Sequence, residues 1–496
     1  MNILLVNVPS RKGEGGFMLP LGLLYAGAII ERCGHKAKIV DMYLTDVVEL
    51  FKTIDDFKPA IIGFGGIATS YGRTKQLSLR IRDRYPNILQ IAGGAIASTY
   101  ELLLTRTKID VVFHGETEAS LPLFLERLVH GKPFHDVPGI SYLLKGQVIR
   151  NEPPKQIENL DEIPFPAYHL VDVDRYLHPV KDYLEAYSIL IYSNPNCTDI
   201  IKKIENKTHY IHIASARGCT HRCFFCYRHM FGHRQHSVKY VIEHIKYLQR
   251  TYGISGFQFC DELFNRDPKW VMELCDAIER EQLDIFYIVS GARVDKIDEN
   301  MLRRLKQTGC IAIEYGQESG SDLVLKEYRK GVSTERNKEI TKLTQKVGLL
   351  STVQLVIGSP SETNETIEET IQFLKDTNSY QVSLNYLIPL PGTPSWQYVM
   401  ERNLIKDVEK YLDEVAEHGG ARLIVNLTKK SDCVVKRWSD KISYELTKSY
   451  YKNLNHPALY FLYSLIGKVR IYVGPFIPDS VKKNVGKFLK PFRLKI

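Results

Sequence analysis

Short apolar segments alternate with amphipathic stretches along most of this chain, and this order restricts the fold more than any other feature. Because consecutive parallel strands need a crossover connection, usually a helix, the alternation predicts parallel sheets covered by helices. In the first series the predicted strands are Ile3–Val8, Ala37–Asp41, Ile61–Phe64, Ile88–Ala92 and Val111–Phe113. The predicted helices between them include Leu21–Cys33 and Thr74–Tyr85.

A second series of strand–helix units begins near Ile211. It contains six units, fewer than the eight that close a parallel barrel, so we expect a partial barrel that is open on one side. The predicted strands are His212–Ser215, Gly256–Cys260, Phe286–Ser290, Cys310–Tyr315, Thr352–Ile357 and Gln381–Leu387. The predicted helices include Val238–Tyr252, Trp270–Glu281, Thr334–Val347 and Thr366–Asp376.

The two series predict an α/β protein with four consecutive segments. These are an N-terminal domain at residues 1–140, a linker at 141–205, the partial barrel at 206–395 and a helical C-terminal region at 396–496. The linker contains Pro164 and Pro166, which cannot continue a helix, and its stretch Tyr176–Tyr210 has no clear pattern.

Composition excludes several classes of protein. The chain has 496 residues, of which 44% are hydrophobic and 25% charged, so it is neither disordered nor collagen-like. It has no run of about 18 apolar residues and no secretion signal, so we expect a cytoplasmic protein. The net charge is +9, but Ser464–Ile496 alone carries +7, and the nearly neutral remainder disfavours nucleic-acid binding.

Three of the nine cysteines lie within eight residues, at Cys219, Cys223 and Cys226, in the spacing C-x3-C-x2-C. Three thiolates on one loop can ligate three irons of a [4Fe–4S] cluster and leave the fourth iron open to a small molecule. A zinc site is the alternative, with His221 or His229 as a further ligand. The spacing alone favours the cluster, because structural zinc sites usually combine paired C-x2-C units.

The cysteine spacing, with the aromatic Phe225 before the last cysteine, resembles the radical S-adenosylmethionine (SAM) superfamily. Further matching motifs follow later strands in the order of that family: Asp261-Glu262, Arg293, Gly316-Gln317-Glu318-Ser319-Gly320, Gly358–Thr363 and Pro389–Pro394. One departure is Ser361, where the family usually has glycine. The resemblance implies a [4Fe–4S] cluster on the three cysteines and SAM on its open iron. It also implies SAM contacts from Phe225, Asp261, Glu262, Arg293, Glu318 and Ser319.

The N-terminal segment resembles the Rossmann-like cobalamin-binding domain found ahead of many radical SAM enzymes. The matching residues that the resemblance implies as corrin contacts are Pro20, Gly22, Gly65, Gly93, Gly94, Gly115 and Glu116. Glycines at strand ends allow the backbone to approach a ligand closely. The loop Val8–Pro20 lacks the cobalt-ligating histidine of other cobalamin domains, and His35 comes too late in the pattern to replace it.

Together the resemblances imply a cobalamin-dependent radical SAM enzyme, with methylation of an unactivated carbon as the main expectation. Cyclisation or rearrangement by the same domain pair, an RNA-modifying methylthiotransferase and a non-enzymatic corrin or redox sensor are the alternatives. The expected partners are a small-molecule or lipid-like substrate and an electron donor such as flavodoxin or ferredoxin. Aromatic residues interleave with basic ones in the tail, which indicates either peripheral contact with the inner face of a membrane or a helix that covers the barrel. No catalytic acid or base can be assigned from the sequence.

Overall fold

The computed structural model describes residues 1–10, 18–228, 230–380 and 382–453. Within these ranges the chain forms two seven-stranded sheets and one small two-stranded ladder. The first sheet belongs to the N-terminal part of the chain and the second to the central part, so the predicted α/β class is confirmed.

The first sheet contains seven strands, five of them parallel. They are β1 (Asn2–Asn7), β2 (Lys36–Asp41), β3 (Ile61–Gly65), β4 (Leu89–Gly93), β5 (Val111–Phe113), β6 (Ile140–Leu144) and β7 (Gln147–Arg150). The strand order is 2-1-3-4-5-6-7, and β6 and β7 are antiparallel. All five predicted strands are present, but the sheet continues past residue 140 through the β6–β7 hairpin, which the sequence pattern did not indicate.

Five helices cover both faces of this sheet. They are α1 (Leu21–Arg32), α2 (Val47–Phe57), α3 (Tyr71–Arg84), α4 (Tyr100–Arg106) and α5 (Thr117–Val129). Because side chains alternate along a strand, Ile3 and Leu5 pack on the α1 and α5 side, while Leu4 and Val6 pack in the opposite hydrophobic layer. Burial on both faces explains why these strands read as continuous apolar runs.

The second sheet contains six parallel strands and one short antiparallel edge strand. They are β8 (His178–Pro179), β9 (His209–Ile213), β12 (Gly256–Cys260), β13 (Phe286–Ala292), β14 (Cys310–Glu318), β15 (Leu350–Ile357) and β16 (Val382–Tyr386). The separate ladder pairs β10 (Ala216–Arg217) with β11 (Arg234–Gln235). The six parallel strands confirm the predicted partial barrel.

Helices pack on the outer face of the second sheet and alternate with its strands. They are α9 (Val238–Tyr252), α10 (Pro268–Arg280), α11 (Glu299–Gln307), α12 (Asp322–Glu327), α13 (Thr334–Val347) and α14 (Asn364–Asp376). Local signals set their ends. Ser237 caps α9 by accepting a hydrogen bond from the Tyr240 N–H, and Gly253 ends this helix in the left-handed conformation.

The unpatterned stretch of the predicted linker packs on the inner face of the second sheet, near the amino ends of its strands. It forms three short helices, α6 (Val180–Ala186), α7 (Ser188–Ser193) and α8 (Thr198–Ile204). Ile200 and Ile204 pack there with Phe286 and Ile288, which are fully buried. The inner face is therefore apolar and filled at this level, and it stays open only towards the carboxyl ends of the strands.

The C-terminal region is helical as far as the structure describes it. It contains α15 (Pro394–Glu401), α16 (Val408–His418) and α17 (Asp432–Asn453). Glu409 of α16 forms an ion pair with Lys75 of α3 at 2.7 Å and so joins the two halves of the molecule. None of the helices in the described ranges has the length and apolarity needed to cross a membrane. The predicted basic tail lies outside the described residues.

Candidate functional site

The cysteine loop leaves β9 and is fixed by the protein at its base and at its centre. At the base, β10 pairs with β11, and Gly218 has a φ of +79°; a Cβ there would lie 2.5 Å from the Gly232 carbonyl oxygen. At the centre, the Phe224 N–H donates to the Tyr328 carbonyl at 3.0 Å, and the Phe224 carbonyl accepts from the Ser395 N–H at 2.9 Å. The loop is therefore held in place by contacts to distant parts of the fold.

Cys219 and Cys223 are half-buried residues and Cys226 is an exposed one, so a ligand can approach the loop. Burial raises the pKa of the Cys219 thiol, and bound iron would reverse this effect by stabilising the thiolate. The Phe225 ring packs edge-to-face on Tyr328 at 5.2 Å, so it forms a wall beside the loop.

The three thiols form the donor set of the loop. A four-iron cluster takes one thiolate on each of three irons, so its ligands need not meet at a point. Three cysteines on one loop therefore fit the predicted cluster.

Asp261, at the end of β12, is bound to the start of the cysteine loop. Its Oδ1 accepts hydrogen bonds from the Ser215 and Ala216 N–H groups at 2.7 and 2.8 Å, and its Oδ2 accepts from the Ser215 hydroxyl at 2.5 Å. The side chain is only 5% exposed, and burial raises its pKa to about 6. The structure thus places Asp261 as an anchor of the loop, whereas the resemblance implied a SAM contact.

Glu262 and Glu318 are placed differently. Glu262 is exposed and lines a cavity described below, where a ligand can reach it. Glu318 is buried, and its Oε1 accepts a hydrogen bond from the Lys330 ammonium at 3.2 Å. Its backbone has a φ of +66°, an uncommon conformation for a residue other than glycine, and such strain is frequent at functional sites.

Two further residues predicted to contact SAM form hydrogen bonds or ion pairs with other groups of the protein. Ser319 is 1% exposed, and its hydroxyl bonds the Ser321 N–H and the Thr370 hydroxyl. The Arg293 guanidinium pairs with Asp295 at 2.8 Å and donates to the Lys330 carbonyl at 2.8 Å. Both residues hold loops at the mouth of the barrel, and their contacts with SAM stay a prediction.

A cavity of 510 Å³ lies between the first sheet and α1 and extends to the cysteine loop. All seven residues predicted for corrin binding line it, namely Pro20, Gly22, Gly65, Gly93, Gly94, Gly115 and Glu116. From the second half of the molecule, Arg217, Gly218, Cys260 and Glu262 line the same cavity. The predicted corrin edge and the mouth of the barrel therefore face one space.

The walls of this cavity are mostly apolar, and glycine makes room for it. A Cβ on Gly65 would lie 2.6 Å from Leu23 Cδ2, so a side chain there would collide with α1. Gly94 and Gly115 have φ values of +82° and +70°, in the region that favours glycine. The strand ends carry glycines, so a flat ring such as a corrin can lie against them. The nucleotide tail of a corrin can enter the space between the sheet and α1.

Glu116 lines the cavity, but its carboxylate is bound by two arginines of the ladder. Arg234 Nη1 and Nη2 each donate to a Glu116 oxygen at 2.9 Å, and Arg217 donates at 3.2 Å. Arg217 also bonds Glu118 at 2.7 Å and lies over the Tyr25 ring at 4.8 Å. The structure thus gives Glu116 a role in joining the N-terminal sheet to the base of the cysteine loop.

Sequence reasoning missed Ser290, Glu314 and Thr352, which form a polar row with Cys260 on the inner face of the second sheet. The strand register places Cys260 beside Ser290, and Glu314 beside Thr352. The Ser290 hydroxyl joins the two pairs by donating to Glu314 Oε2 at 2.7 Å. The sequence held a signal for Ser290 and Glu314, because each follows two apolar residues at the period-two spacing of one face.

Comparisons with known proteins agree with this geometry. The model of the radical SAM superfamily matches residues 213–374, and that of the B12 binding domain matches residues 14–125. An uncharacterised methyltransferase of Pyrococcus horikoshii is 30% identical over 417 residues, which cover 82% of this chain and 84% of the relative. The anaerobic magnesium-protoporphyrin IX monomethyl ester cyclase of Synechocystis is 25% identical over 398 residues, 78% of this chain and 74% of the relative.

The fold also matches a solved structure. The cobalamin-dependent SAM radical enzyme OxsB, with aqua-cobalamin and SAM bound, aligns with a TM-score of 0.65 and 16% identity, over 100% of this chain and 75% of that chain. The identity is low, so this match shows the fold. Together with the two family matches, it confirms the order of the two domains. The chain belongs to the family of cobalamin (B12)-binding radical SAM enzymes, whose cofactors are a [4Fe–4S] cluster, SAM and cobalamin.

Proposed function

We propose that this protein methylates an unactivated carbon of a small-molecule or lipid-like substrate. The observation that carries the proposal is the shared cavity. Gly65 and Gly93 of the first sheet and Glu262 beside the cysteine loop line the same space. A substrate in or beside this space can reach both cofactors, as hydrogen abstraction and methyl transfer to one carbon require. Several relatives bear names of methyltransferases, which supports this outcome.

Cys219, Cys223 and Cys226 would hold the cluster, and Glu262 and Glu318 would bind the polar groups of SAM. When bound, the cluster supplies an electron for cleavage of SAM and the corrin carries a methyl group. The protein's own part is placement. Asp261 fixes the start of the loop through three hydrogen bonds, which keeps the thiols at the mouth of the barrel.

The corrin would lie on the glycine edge, with its tail between the first sheet and α1. The approach is made by backbone and apolar groups, because Gly65 and Gly93 present no side chains there. The loop Val8–Pro20 contains no histidine, so we propose that cobalt receives no imidazole from it.

Cyclisation is a second candidate, because the Synechocystis relative bears the name of a cyclase. The two reactions differ in their SAM products. A methyltransferase of this kind consumes one SAM as methyl donor and another as radical source, so it forms S-adenosylhomocysteine as well as 5′-deoxyadenosine. A cyclase that uses SAM only as radical source forms 5′-deoxyadenosine alone.

The experiment uses the anaerobically reconstituted holoenzyme, a chemical reductant and SAM with a deuterated methyl group. The small-molecule and lipid fractions of the source cells serve as substrate pools. Methylation predicts both SAM products and a compound that carries the deuterated methyl group. Deoxyadenosine without S-adenosylhomocysteine or labelled product would favour the cyclase. Absence of both SAM products would contradict the radical SAM proposal.

We further propose that an electron donor such as flavodoxin or ferredoxin supplies the electron.

We also propose that the tail contacts an anionic membrane surface. The tail carries most of the net charge of the protein, with aromatic residues between the basic ones. Deleting Lys482–Ile496 should remove binding to anionic liposomes. Unchanged binding by the truncated protein would contradict the membrane contact.

A further inference from the structure

The inner face of the second sheet changes character along the strands. Its lower part is filled by α8 and other apolar groups, but the next level carries the polar row Cys260, Ser290, Glu314 and Thr352. We call the space in front of this row the lumen. Ser290 and Glu314 are only half-buried, so the lumen is open at this level.

The row is connected by hydrogen bonds. The Ser290 hydroxyl donates to Glu314 Oε2 at 2.7 Å and accepts from Gln258 Nε2 at 2.9 Å. Tyr187 of the inner helices provides a further hydroxyl close to Glu314. These contacts orient the carboxylate but bring no positive charge to it.

Glu314 forms no ion pair with any lysine or arginine in the described ranges. Burial raises its pKa, although hydrogen bonds from Ser290 and Tyr187 offset part of this effect. The other acids at the barrel mouth differ: Glu318 has Lys330, and Asp261 has two N–H groups and a hydroxyl. A half-buried carboxylate without a counter-ion is partly desolvated, and a bound cation would offset that cost.

His212 lies on the same inner face but outside the row. It is opposite Gln258 in the register and therefore at the level of Ile288, one level below Ser290. The residue is 6% exposed, and its ring packs against that of His178 at 4.6 Å. We therefore assign His212 no part in the site.

The row borders the shared cavity. Cys260 pairs with Ser290 in the row and also lines that cavity. A molecule bound by Glu314 therefore extends towards the space between the predicted SAM and corrin positions. The polar row holds one end of such a molecule, while the other end lies where the reaction would occur.

We infer that the lumen is a substrate subsite that binds a protonated amine through Glu314. Gln258 and Ser290 complete the site as hydrogen-bonding partners. That the bound amine is the substrate rests on the proposed function. That the lumen binds an amine does not depend on it. A carboxylate accepts hydrogen bonds only, and its charge selects an ammonium over an alcohol, whereas another carboxylate would be repelled.

The test measures binding of three probes that differ only in their head group: 4-phenylbutylamine, 4-phenylbutanol and 4-phenylbutyrate. Equilibrium dialysis with the anaerobic holoenzyme gives their dissociation constants. The amine should bind at least about tenfold more tightly than the other two. Glu314→Gln should weaken amine binding about tenfold or more and leave alcohol binding within about twofold.

The control is Glu273→Gln, which changes the net charge equally on the exposed surface of α10 and should not affect any probe. Glu314→Asp keeps the charge with a shorter reach, so it should retain the preference for the amine with weaker binding. Equal binding of amine and alcohol, no binding of any probe, or full amine binding by Glu314→Gln would overturn the inference.

The same variants separate this inference from the proposed function. Glu314 does not contact the cysteine loop, so Glu314→Gln should still cleave SAM to 5′-deoxyadenosine without substrate. If wild-type protein binds the amine but never cleaves SAM, the proposed function fails and the amine site remains. If it cleaves SAM but shows no preference for the amine, only the present inference fails.

Discussion

The carboxyl edge of the first sheet and the mouth of the second sheet face one cavity but differ in the residues that form them. The first edge is bare, with Gly65 and Gly93 at strand ends and apolar walls behind them. The second carries charged side chains, yet Asp261 and Arg293 are bound within the protein. A large flat cofactor needs space more than polar contacts, whereas a metal cluster needs a loop that is held rigidly.

The comparison predicts that the two cofactors can be lost separately. Cys223→Ala removes one iron ligand, so we expect iron to fall from about four per chain to near zero, with no SAM cleavage. Cobalamin should remain bound, because the glycine edge does not depend on the cluster. Iron and corrin assays on one sample measure both effects. Cys433→Ala, outside the loop, is the control. Joint loss of corrin and iron would show that the two edges are not independent.

A variant at Gly65 should show the reverse, with loss of cobalamin and retention of iron. Its added Cβ would collide with Leu23, and a larger side chain would fill the cavity, so Gly65→Val should reduce cobalamin affinity about tenfold or more while iron content stays unchanged. Gly22→Ala is the matched comparison, because nothing lies within 4 Å of a Cβ at Gly22, and its effect should be smaller. Titration with hydroxocobalamin, followed by absorbance, gives both affinities. Equal losses in the two variants would contradict the steric account.

Glu116 joins the two edges, so its loss should affect the whole protein. Glu116→Gln leaves Arg217 and Arg234 with less negative charge in a buried network, and we expect a loss of about 3–5 kcal/mol in the free energy of unfolding. Denaturant unfolding measures this. Glu409→Gln breaks the more exposed pair with Lys75 and should cost at most about 1 kcal/mol. Similar values for the two variants would contradict the buried bridge.

The same network predicts how the free energy of unfolding changes with pH. Burial alone would raise the pKa of Glu116, but hydrogen bonds and charges from Arg234 and Arg217 outweigh it and leave the pKa lowered. Stability from this group is therefore fully present above the ordinary carboxyl pKa of about 4.3 and is lost as pH falls through the lower value of the folded protein. Unfolding of wild type and Glu116→Gln between about pH 3 and 7 should show a difference that shrinks in acid.

The smallest expected effect is local to the cysteine loop. Asp261→Asn keeps one acceptor oxygen but loses hydrogen bonds to Ser215 or Ala216, which should weaken the loop by about 1–3 kcal/mol. Iron release to a chelator should accelerate about tenfold, while corrin affinity stays unchanged. The pKa of Asp261, raised to about 6 by burial, means that its ionisation reduces stability as pH rises from about 4 through 6. An unchanged rate of iron release would contradict the anchoring role.

Most of the fold was predictable because parallel, buried strands give continuous apolar runs. Val111–Phe113 and Gly256–Cys260 agree with the sequence to the residue. The β6–β7 hairpin and the three inner helices were missed because their burial is one-sided or depends on the barrel around them. Ile200 is recognisable as a core residue only once Phe286 is known to face it.

The candidate site was predictable in position and less so in contacts. Glycines have no side chain to be used elsewhere, so Gly65 and Gly94 line the cavity as expected. Charged residues at strand ends have many potential partners, and the sequence does not show that Asp261 bonds Ser215 or that Glu116 bonds Arg234. Motifs locate such residues, whereas tertiary structure decides which of them remain free for a ligand.

In the proposed arrangement, one cavity serves the cluster loop and the corrin edge. The most direct measurement is the iron, zinc and corrin content of the protein, purified without oxygen and reconstituted with iron, sulfide and hydroxocobalamin. The account predicts about four irons and one corrin per chain, with negligible zinc. Stoichiometric zinc without iron would contradict the cluster assignment, and iron without retained corrin would contradict the assignment of the glycine edge.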